Sequence, residues 1–233
     1  MKLKKIASLM LAGVMAVSML AGCSTAAVDP EPTPNPDPTP STGYSAKLES
    51  ELSAISQDKL TLTDNNELND ALEYAIGNIG NNSVSAIFGL NGIAGGKVHF
   101  VVKQDGSAVG EVVKTLRDAR GTNINWTDTA ASAIESLNPQ SRAENYANYY
   151  TKNDVSTLLV YAVDDGVNLN NAMDQIANLI NGEIEKLADD FDAGNETTSV
   201  NYHYTGSVAT CNKSFESIGV NFIAVELVRH IGK

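Results

Sequence analysis

The segments VNYHYT at residues 200–205 and FESIGVNFIAVELV at residues 215–228 decide the predicted fold. In the first, Val200, Tyr202 and Tyr204 alternate with polar residues, a pattern typical of a strand with one buried face. The second is a long apolar run that predicts another strand. Polar residues between them, at Asn212 and Lys213, suit a turn, so the sequence predicts a C-terminal β-hairpin.

Helical and strand-like patterns alternate upstream of the hairpin. Apolar residues at helical spacing predict helices near residues 44–55, 64–79, 109–121, 127–137 and 169–191, with Asp64 and Thr127 at helix starts and Gly194 as a stop. Strands are predicted at residues 98–103 and 158–163. This order predicts an α+β fold, in which several helices, mainly on one face, cover a mixed or antiparallel sheet.

The N-terminal residues have the composition of a secretory leader. Three lysines precede an apolar run from Ile6 to Ala21, which is shorter than the roughly 20 residues that a membrane span needs. The segment Leu20-Ala21-Gly22-Cys23 resembles the lipobox of bacterial lipoproteins. The resemblance covers only the leader, and it implies a signal peptide at residues 1–22 and diacylglycerol on the Cys23 sulfur, with fatty acids such as palmitate as the anchor. The alternatives are an ordinary secretory signal and an uncleaved N-terminal helix.

Proline occupies every second position from Pro30 to Pro40. Each proline fixes its own φ and favours an extended conformation in the residue before it, so residues 23–43 are predicted to form a stalk that follows the lipidated cysteine. A plain flexible linker and a proline-rich ligand are the alternatives. Because no second break of this kind follows, residues 44–233 are predicted to form a single extracytoplasmic domain.

The charge balance excludes some classes of partner. The chain has 28 acidic and 16 basic residues, and three of the basic residues lie in the leader. This acidity argues against nucleic acid and against electrostatic docking on anionic lipid. No zinc-ligand spacing surrounds His99, His203 or His230, so neither a metal nor a cofactor is expected. The two histidines on predicted strands, His99 and His203, could meet across a sheet, but hydrogen-bonded or solvent-facing roles are the simpler interpretation.

Catalytic motifs are absent, and one carboxylate arrangement remains as a hypothesis. Asp105 and the pair Asp164 and Asp165 each follow a predicted strand. If those strands were parallel neighbours, the three carboxylates would gather at the carboxyl edge of the sheet, where open sheets place their sites. A hydrolase acting on wall glycan or peptide could use such a group. Helix capping and turn formation are the alternative roles for these residues.

An aromatic stripe is the candidate ligand-binding feature. Arg142, Tyr146, Tyr149 and Tyr150 share one side of a predicted helix, and Trp126 precedes them. Tyrosine suits an interface because it buries a large area while its hydroxyl stays hydrated. The same spacing also suits packing of a helix on a sheet.

We therefore expect a lipid-anchored protein on the outer face of a bacterial membrane, beneath a thick wall. Its domain is expected to bind a wall component, a peptide or a protein partner without catalysis, and the carboxylate hydrolase is the alternative. Besides Cys23, the chain has one cysteine, Cys211, so the folded domain has no internal disulfide and its stability must come from its core. A buried, small apolar role is expected for Cys211.

Overall fold

The computed structural model describes residues 43–79, 95–101, 108–120, 129–139, 153–192, 199–215 and 218–232. The helices are α1 (Tyr44–Glu51), α2 (Ala54–Lys59), α3 (Asn66–Gly77), α4 (Ala108–Arg120), α5 (Ala130–Glu135) and α6 (Leu169–Ile184). The strands are β1 (Leu60–Leu62), β2 (His99–Phe100), β3 (Val155–Asp164), β4 (Asp190–Asp192), β5 (Ser199–Phe215) and β6 (Ile218–Ile231). These elements form a six-stranded mixed sheet with helices packed against it, which confirms the predicted α+β class.

The C-terminal hairpin organises the sheet. Strand β6 pairs antiparallel with β5 on one side and with β3 on the other, and the strand order is β1-β5-β6-β3-β2. The short strand β1 runs parallel to β5, while β4 pairs with the first residues of β5. The predicted hairpin is therefore confirmed, and β1 and β4 are additional strands that three-residue patterns are too short to predict.

The hairpin turn lies later than the sequence indicates. Asn212 and Lys213 continue the ladder opposite Asn221 and Val220, and the last pair before the turn joins Phe215 to Ile218. The Asn212 side-chain amide donates to Asn221 Oδ1 at 3.0 Å, so this polar residue bridges the two strands. The prediction of a turn at Asn212 and Lys213 was wrong because polar residues also occur within exposed parts of a long ladder.

Helices cover both faces of the sheet. One core lies between the sheet and helices α1, α5 and α6, and Leu159, Tyr161 and Val163 of β3 contribute to it. The other core lies against α3 and α4, and Leu158, Val160 and Ala162 of the same strand contribute to it. The expectation of helices mainly on one face understated the second layer, since α3 and α4 also bury the other face. The continuous apolar run of β3 has no polar alternation because both of its faces are buried.

Helix α1 is an integral part of the fold. It begins at Tyr44, and Leu48 is fully buried in the first core. The buried Ser45 hydroxyl donates to the Thr63 carbonyl oxygen at 3.1 Å and accepts from the Val208 amide at 3.0 Å. These bonds attach α1 to the edge of β5, where a strand amide would otherwise lack a partner.

Several helix boundaries differ from the predicted ones. Helix α3 is capped by Asn65, whose Oδ1 accepts from the Leu68 amide, and α5 is capped by Thr129. The predicted caps, Asp64 and Thr127, were wrong by one and two residues. Helix α6 ends at Ile184, and Phe191, predicted as its last apolar residue, lies in β4. Phe191 joins the same core as the α6 residues, so the apolar periodicity continues past the end of the helix.

Gly206 permits close packing at the centre of β5. A Cβ atom at this position would lie 2.6 Å from the Glu226 carbonyl oxygen and 2.8 Å from a methyl group of Leu62. Only glycine therefore fits between β6 and the side chains of β1. In the part of the chain that the structure describes, no helix has the length and apolarity required to span a membrane.

Candidate functional site

Most residues of the predicted sites lie outside the described residues. They are the lipidation site Cys23, the carboxylate Asp105, and the aromatic stripe with its neighbour, Trp126, Arg142, Tyr146, Tyr149 and Tyr150. The predictions for them stay predictions. The structure places Asp164, Asp165 and Cys211, and the last of these is half-buried against the α3 and α4 core.

Asp164 and Asp165 form the turn between β3 and α6. Asp164 Oδ1 accepts from the Gly166 amide at 2.9 Å, and the Asp165 amide donates to the Gly219 carbonyl oxygen at 3.0 Å. The Asp165 carboxylate covers the face of Gly219, where a side chain on that glycine would overlap it. Both residues thus have a local structural role at the beginning of β6.

The pairing of β2 and β3 removes the reason to expect the three aspartates in one cluster. The two strands are antiparallel, with His99 opposite Ala162 and Phe100 opposite Tyr161. The carboxyl ends of antiparallel neighbours point to opposite edges of a sheet. The condition that would have gathered Asp105 with Asp164 and Asp165 is therefore not met.

A hydrogen-bonded chain of three side chains lies at the other end of the sheet. His230 of β6 places Nδ1 2.7 Å from Asp154 Oδ2 and Nε2 2.7 Å from the Thr205 hydroxyl oxygen. Asp154 precedes β3, and its second carboxylate oxygen accepts from the Ile231 amide at 3.3 Å. We call Asp154, His230 and Thr205 the His230 triad.

For an ionised carboxylate and a neutral imidazole, donor and acceptor chemistry assigns each proton of the triad. An ionised carboxylate only accepts, so Nδ1 of His230 donates to Asp154. In the neutral ring the other nitrogen must then accept, and the Thr205 hydroxyl donates its proton to Nε2. The Thr205 oxygen is left with lone pairs that are not engaged by the histidine.

His203 extends this arrangement. It lies directly opposite His230 in the β5–β6 ladder, and the two rings stack with centroids 4.8 Å apart and planes inclined by 22°. The sequence indicated only that two strand histidines could meet across a sheet, and His230, which follows the predicted strand at residues 215–228, was not one of them. The contacts of Asp154 and Thr205 were missed because they depend on the register of β6 with β3 and with β5, which has no local signal. Counting back from the Phe215–Ile218 pair places His203 opposite His230.

The surface around the His230 triad is open to solvent. His203 and the β1 residue Thr61 are exposed, while Val228 and Ser156 are half-buried. Thr61 pairs with Thr205, and Ser156 pairs with Val228, so the residues form one row across the sheet. Helices α3 and α4 cover this face further along, at Val220 and Phe222.

A buried ion pair lies where α4 meets the same face. The Arg120 guanidinium makes two bonds to the Glu226 carboxylate, at 2.9 and 3.2 Å, and a third to Glu67 at 3.0 Å. Burial acts to lower the pKa of Arg120, but hydrogen bonds and charges from Glu226 and Glu67 outweigh it and raise that pKa. Arg120 therefore stays cationic and joins α3, α4 and β6.

Within the described ranges, no group of three or more histidine, cysteine, aspartate or glutamate side chains is arranged to hold a metal ion. In comparisons with known proteins, no family model, no curated protein and no solved structure matches this chain. The structure thus defines an α+β domain with helices on both faces and a histidine-centred polar cluster at one end of its sheet.

Proposed function

We propose that this protein is a membrane-anchored surface lipoprotein whose α+β domain binds a cell-wall component, a peptide or a protein partner. The observation that carries the proposal is the order of three segments. A leader ending in Leu20-Ala21-Gly22-Cys23 precedes an alternating proline segment, and the first core helix begins at Tyr44. This order suits a domain that stands away from a bilayer.

The anchor follows from the chemistry of acyl chains. Each methylene group buried in a bilayer contributes about 0.8 kcal/mol, and two chains hold a protein stably where one gives marginal binding. A diacylglycerol group on Cys23 would supply two chains. The acidic domain would add no attraction to anionic lipid, so membrane attachment would depend on that cysteine.

The anchor is tested by metabolic labelling with an alkyne analogue of palmitate in a bacterial host. We expect label on the full chain and its partition into the detergent phase of Triton X-114, and loss of both in Cys23→Ala. Cys211→Ala is the matched control, because it removes the other cysteine and leaves the lipobox intact. Label that persists in Cys23→Ala would contradict the proposal.

The candidate contact surface is the aromatic stripe of Arg142, Tyr146, Tyr149 and Tyr150 with Trp126. Aromatic side chains with a polar atom are favoured at binding surfaces because they bury large areas at small entropic cost. The binding proposal itself requires no chemical step. It does require that these side chains meet the partner directly.

Binding is tested by cosedimentation of the detergent-solubilised full chain with purified wall sacculi and by crosslinking in whole cells. Replacement of Tyr146 and Tyr149 by serine should reduce retention at least tenfold, while Tyr74→Ser should leave it unchanged. Tyr74 is a suitable control because 64% of it is exposed on α3, outside the stripe. Equal retention of all three proteins would contradict the assignment of this surface.

A further inference from the structure

The His230 triad has the geometry of an activated nucleophile. Such a site needs a hydroxyl within hydrogen-bond reach of a base, and a third group that orients the base. Thr205, His230 and Asp154 meet both conditions, with distances of 2.7 Å at each step. They supply the hydroxyl, the imidazole and the carboxylate of a catalytic triad, an arrangement that occurs on unrelated folds.

We propose that Thr205 is a nucleophile for acyl transfer, with His230 as its general base and Asp154 as a positioning residue. The substrate class is an ester of a small carboxylic acid. This inference goes beyond the proposed function, since neither membrane anchoring nor partner binding depends on it. It also differs from the carboxylate hydrolase considered from the sequence, because a hydroxyl group performs the attack.

Solvent access separates this triad from a buried structural network. The side chain of His230 is 27% exposed and that of Asp154 is 57% exposed, and Thr205 is half-buried. A molecule can therefore approach from the side of His203 and Thr61, which are both exposed. A small acyl group fits this open row of side chains better than a large ligand that needs an enclosing pocket.

The choice of an ester follows from the groups that can stabilise negative charge. The backbone amides beside Thr205 and His230 belong to the β5–β6 ladder, so they are committed to pairing. His203 is the ring N–H donor next to His230 on the same face. One side-chain donor gives weaker oxyanion stabilisation than a pair of amides, which favours esters with good leaving groups over amides.

The proposed reaction balances in two steps. The Thr205 oxygen attacks the ester carbonyl carbon while its proton passes to His230 Nε2, and the C–O bond to the leaving alcohol breaks as that alcohol takes the proton. Water then attacks the acyl-threonine, gives a proton to His230, and releases the carboxylic acid. Thr205 regains the proton, and no oxidant, reductant or other co-reactant is needed.

The test uses the full chain in detergent with p-nitrophenyl acetate. Release of p-nitrophenol and acetylation of Thr205, located by mass spectrometry, are expected. Thr205→Val and His230→Gln should lower the rate about 100-fold or more, because each removes a partner of the proton transfer. Thr210→Val is the matched control, since Thr210 is half-buried on the same strand opposite Ile223, points to the other face of the sheet from Thr205, and should keep the full rate.

Three further variants separate catalysis from folding. Thr205→Ser keeps a hydroxyl and should retain acetylation at residue 205, while Thr205→Val keeps the β-branched shape that a strand favours. In Asp154→Asn kcat should fall with KM unchanged, and Asp154→Glu, which keeps a carboxylate, should restore part of the rate. A purely structural Asp154 would leave the kcat of the folded protein unchanged in both variants.

Acetylation confined to lysines, or an unchanged rate in folded Thr205→Val, would overturn the proposal. An unchanged kcat in folded Asp154→Asn would overturn the positioning role of that residue. Failure of the lipid-labelling or wall-binding experiments would leave this result unaffected, because the assay measures chemistry at Thr205 alone.

Discussion

Ser45 is a small buried residue with a large expected effect on stability. Its hydroxyl satisfies both the Thr63 carbonyl and the Val208 amide at the sheet edge. Ser45→Ala should lower the free energy of unfolding by about 1–3 kcal/mol, because two buried polar groups lose their partner. Urea denaturation followed by circular dichroism measures this change.

Ser50→Ala is the control for that prediction. Ser50 lies on the same helix, but its hydroxyl is exposed and donates to the Lys47 carbonyl. The substitution should change stability by less than about 0.5 kcal/mol. A similar loss in both variants would contradict the role assigned to the Ser45 bridge, because Ser50 makes no such contact and alanine has the higher helix propensity.

Tyr161 differs from Ser45, because its buried hydroxyl is not expected to stabilise the fold. Its ring is fully buried beside Phe100, and in the part of the chain that the structure describes its hydroxyl has no hydrogen-bond partner. Tyr161→Phe should therefore be neutral or stabilising by up to about 1 kcal/mol at pH 7. Thermal unfolding measures the effect.

Tyr204→Phe provides the contrast. The Tyr204 hydroxyl donates to the Ala188 carbonyl at 2.6 Å, so its removal should cost about 1 kcal/mol. A loss of more than 1 kcal/mol in Tyr161→Phe would contradict the interpretation of an unpartnered hydroxyl.

At the scale of elements, the Arg120–Glu226 pair joins α4 to the central strand β6. The side chains are 15% and 6% exposed, so each charge depends on the other. Arg120→Met alone should cost about 3 kcal/mol, because it leaves the buried Glu226 carboxylate without its partner. Glu226→Gln alone should cost less, because Arg120 keeps its bond to Glu67. The double variant should cost clearly less than the two single losses together.

A double-mutant cycle from urea denaturation measures this coupling. Glu67→Gln is the control: it removes the third bond to Arg120, but Glu67 is 83% exposed and should contribute less than about 1 kcal/mol. Additive losses in the cycle would show that the two side chains stabilise the fold independently.

At the scale of the whole molecule, buried tyrosines predict a loss of stability in alkali. Burial raises the pKa of Tyr161 and of Tyr204 above the usual value of 10.0. Because the folded pKa exceeds the unfolded one, the contribution to stability is complete below about pH 10 and is lost as the pH rises further. For Tyr161 the expected loss is about 1.4 kcal/mol per pH unit.

Urea midpoints measured from pH 8 to pH 11 test this dependence. The midpoint should be flat up to about pH 10 and then fall, and Tyr161→Phe should fall less steeply because it lacks that phenol. Identical slopes in the two proteins would exclude Tyr161 as a source of the alkaline sensitivity.

The sequence by itself determined the fold class, the long hairpin and the apolar faces of α3 and α6. These features depend on periodicity over many residues, and Leu68, Leu72 and Ile76 are buried as their spacing predicts. Features that depend on one or two residues were predicted less well. Four features lie away from their predicted positions: the caps of α3 and α5, the end of α6 and the hairpin turn. Several neighbouring polar residues can each cap a helix or form a turn, so the sequence does not single out one of them.

Only the tertiary structure decided which side chains meet. Asp154, Thr205 and His230 are far apart in the sequence, and their contact depends on the exact register of β5 with β6 and of β6 with β3. The direction of β2 relative to β3, which separates their carboxyl ends, also has no local signal. Pairing between distant strands is set by the packing of the whole core, whereas periodicity records only which face of each element that core covers.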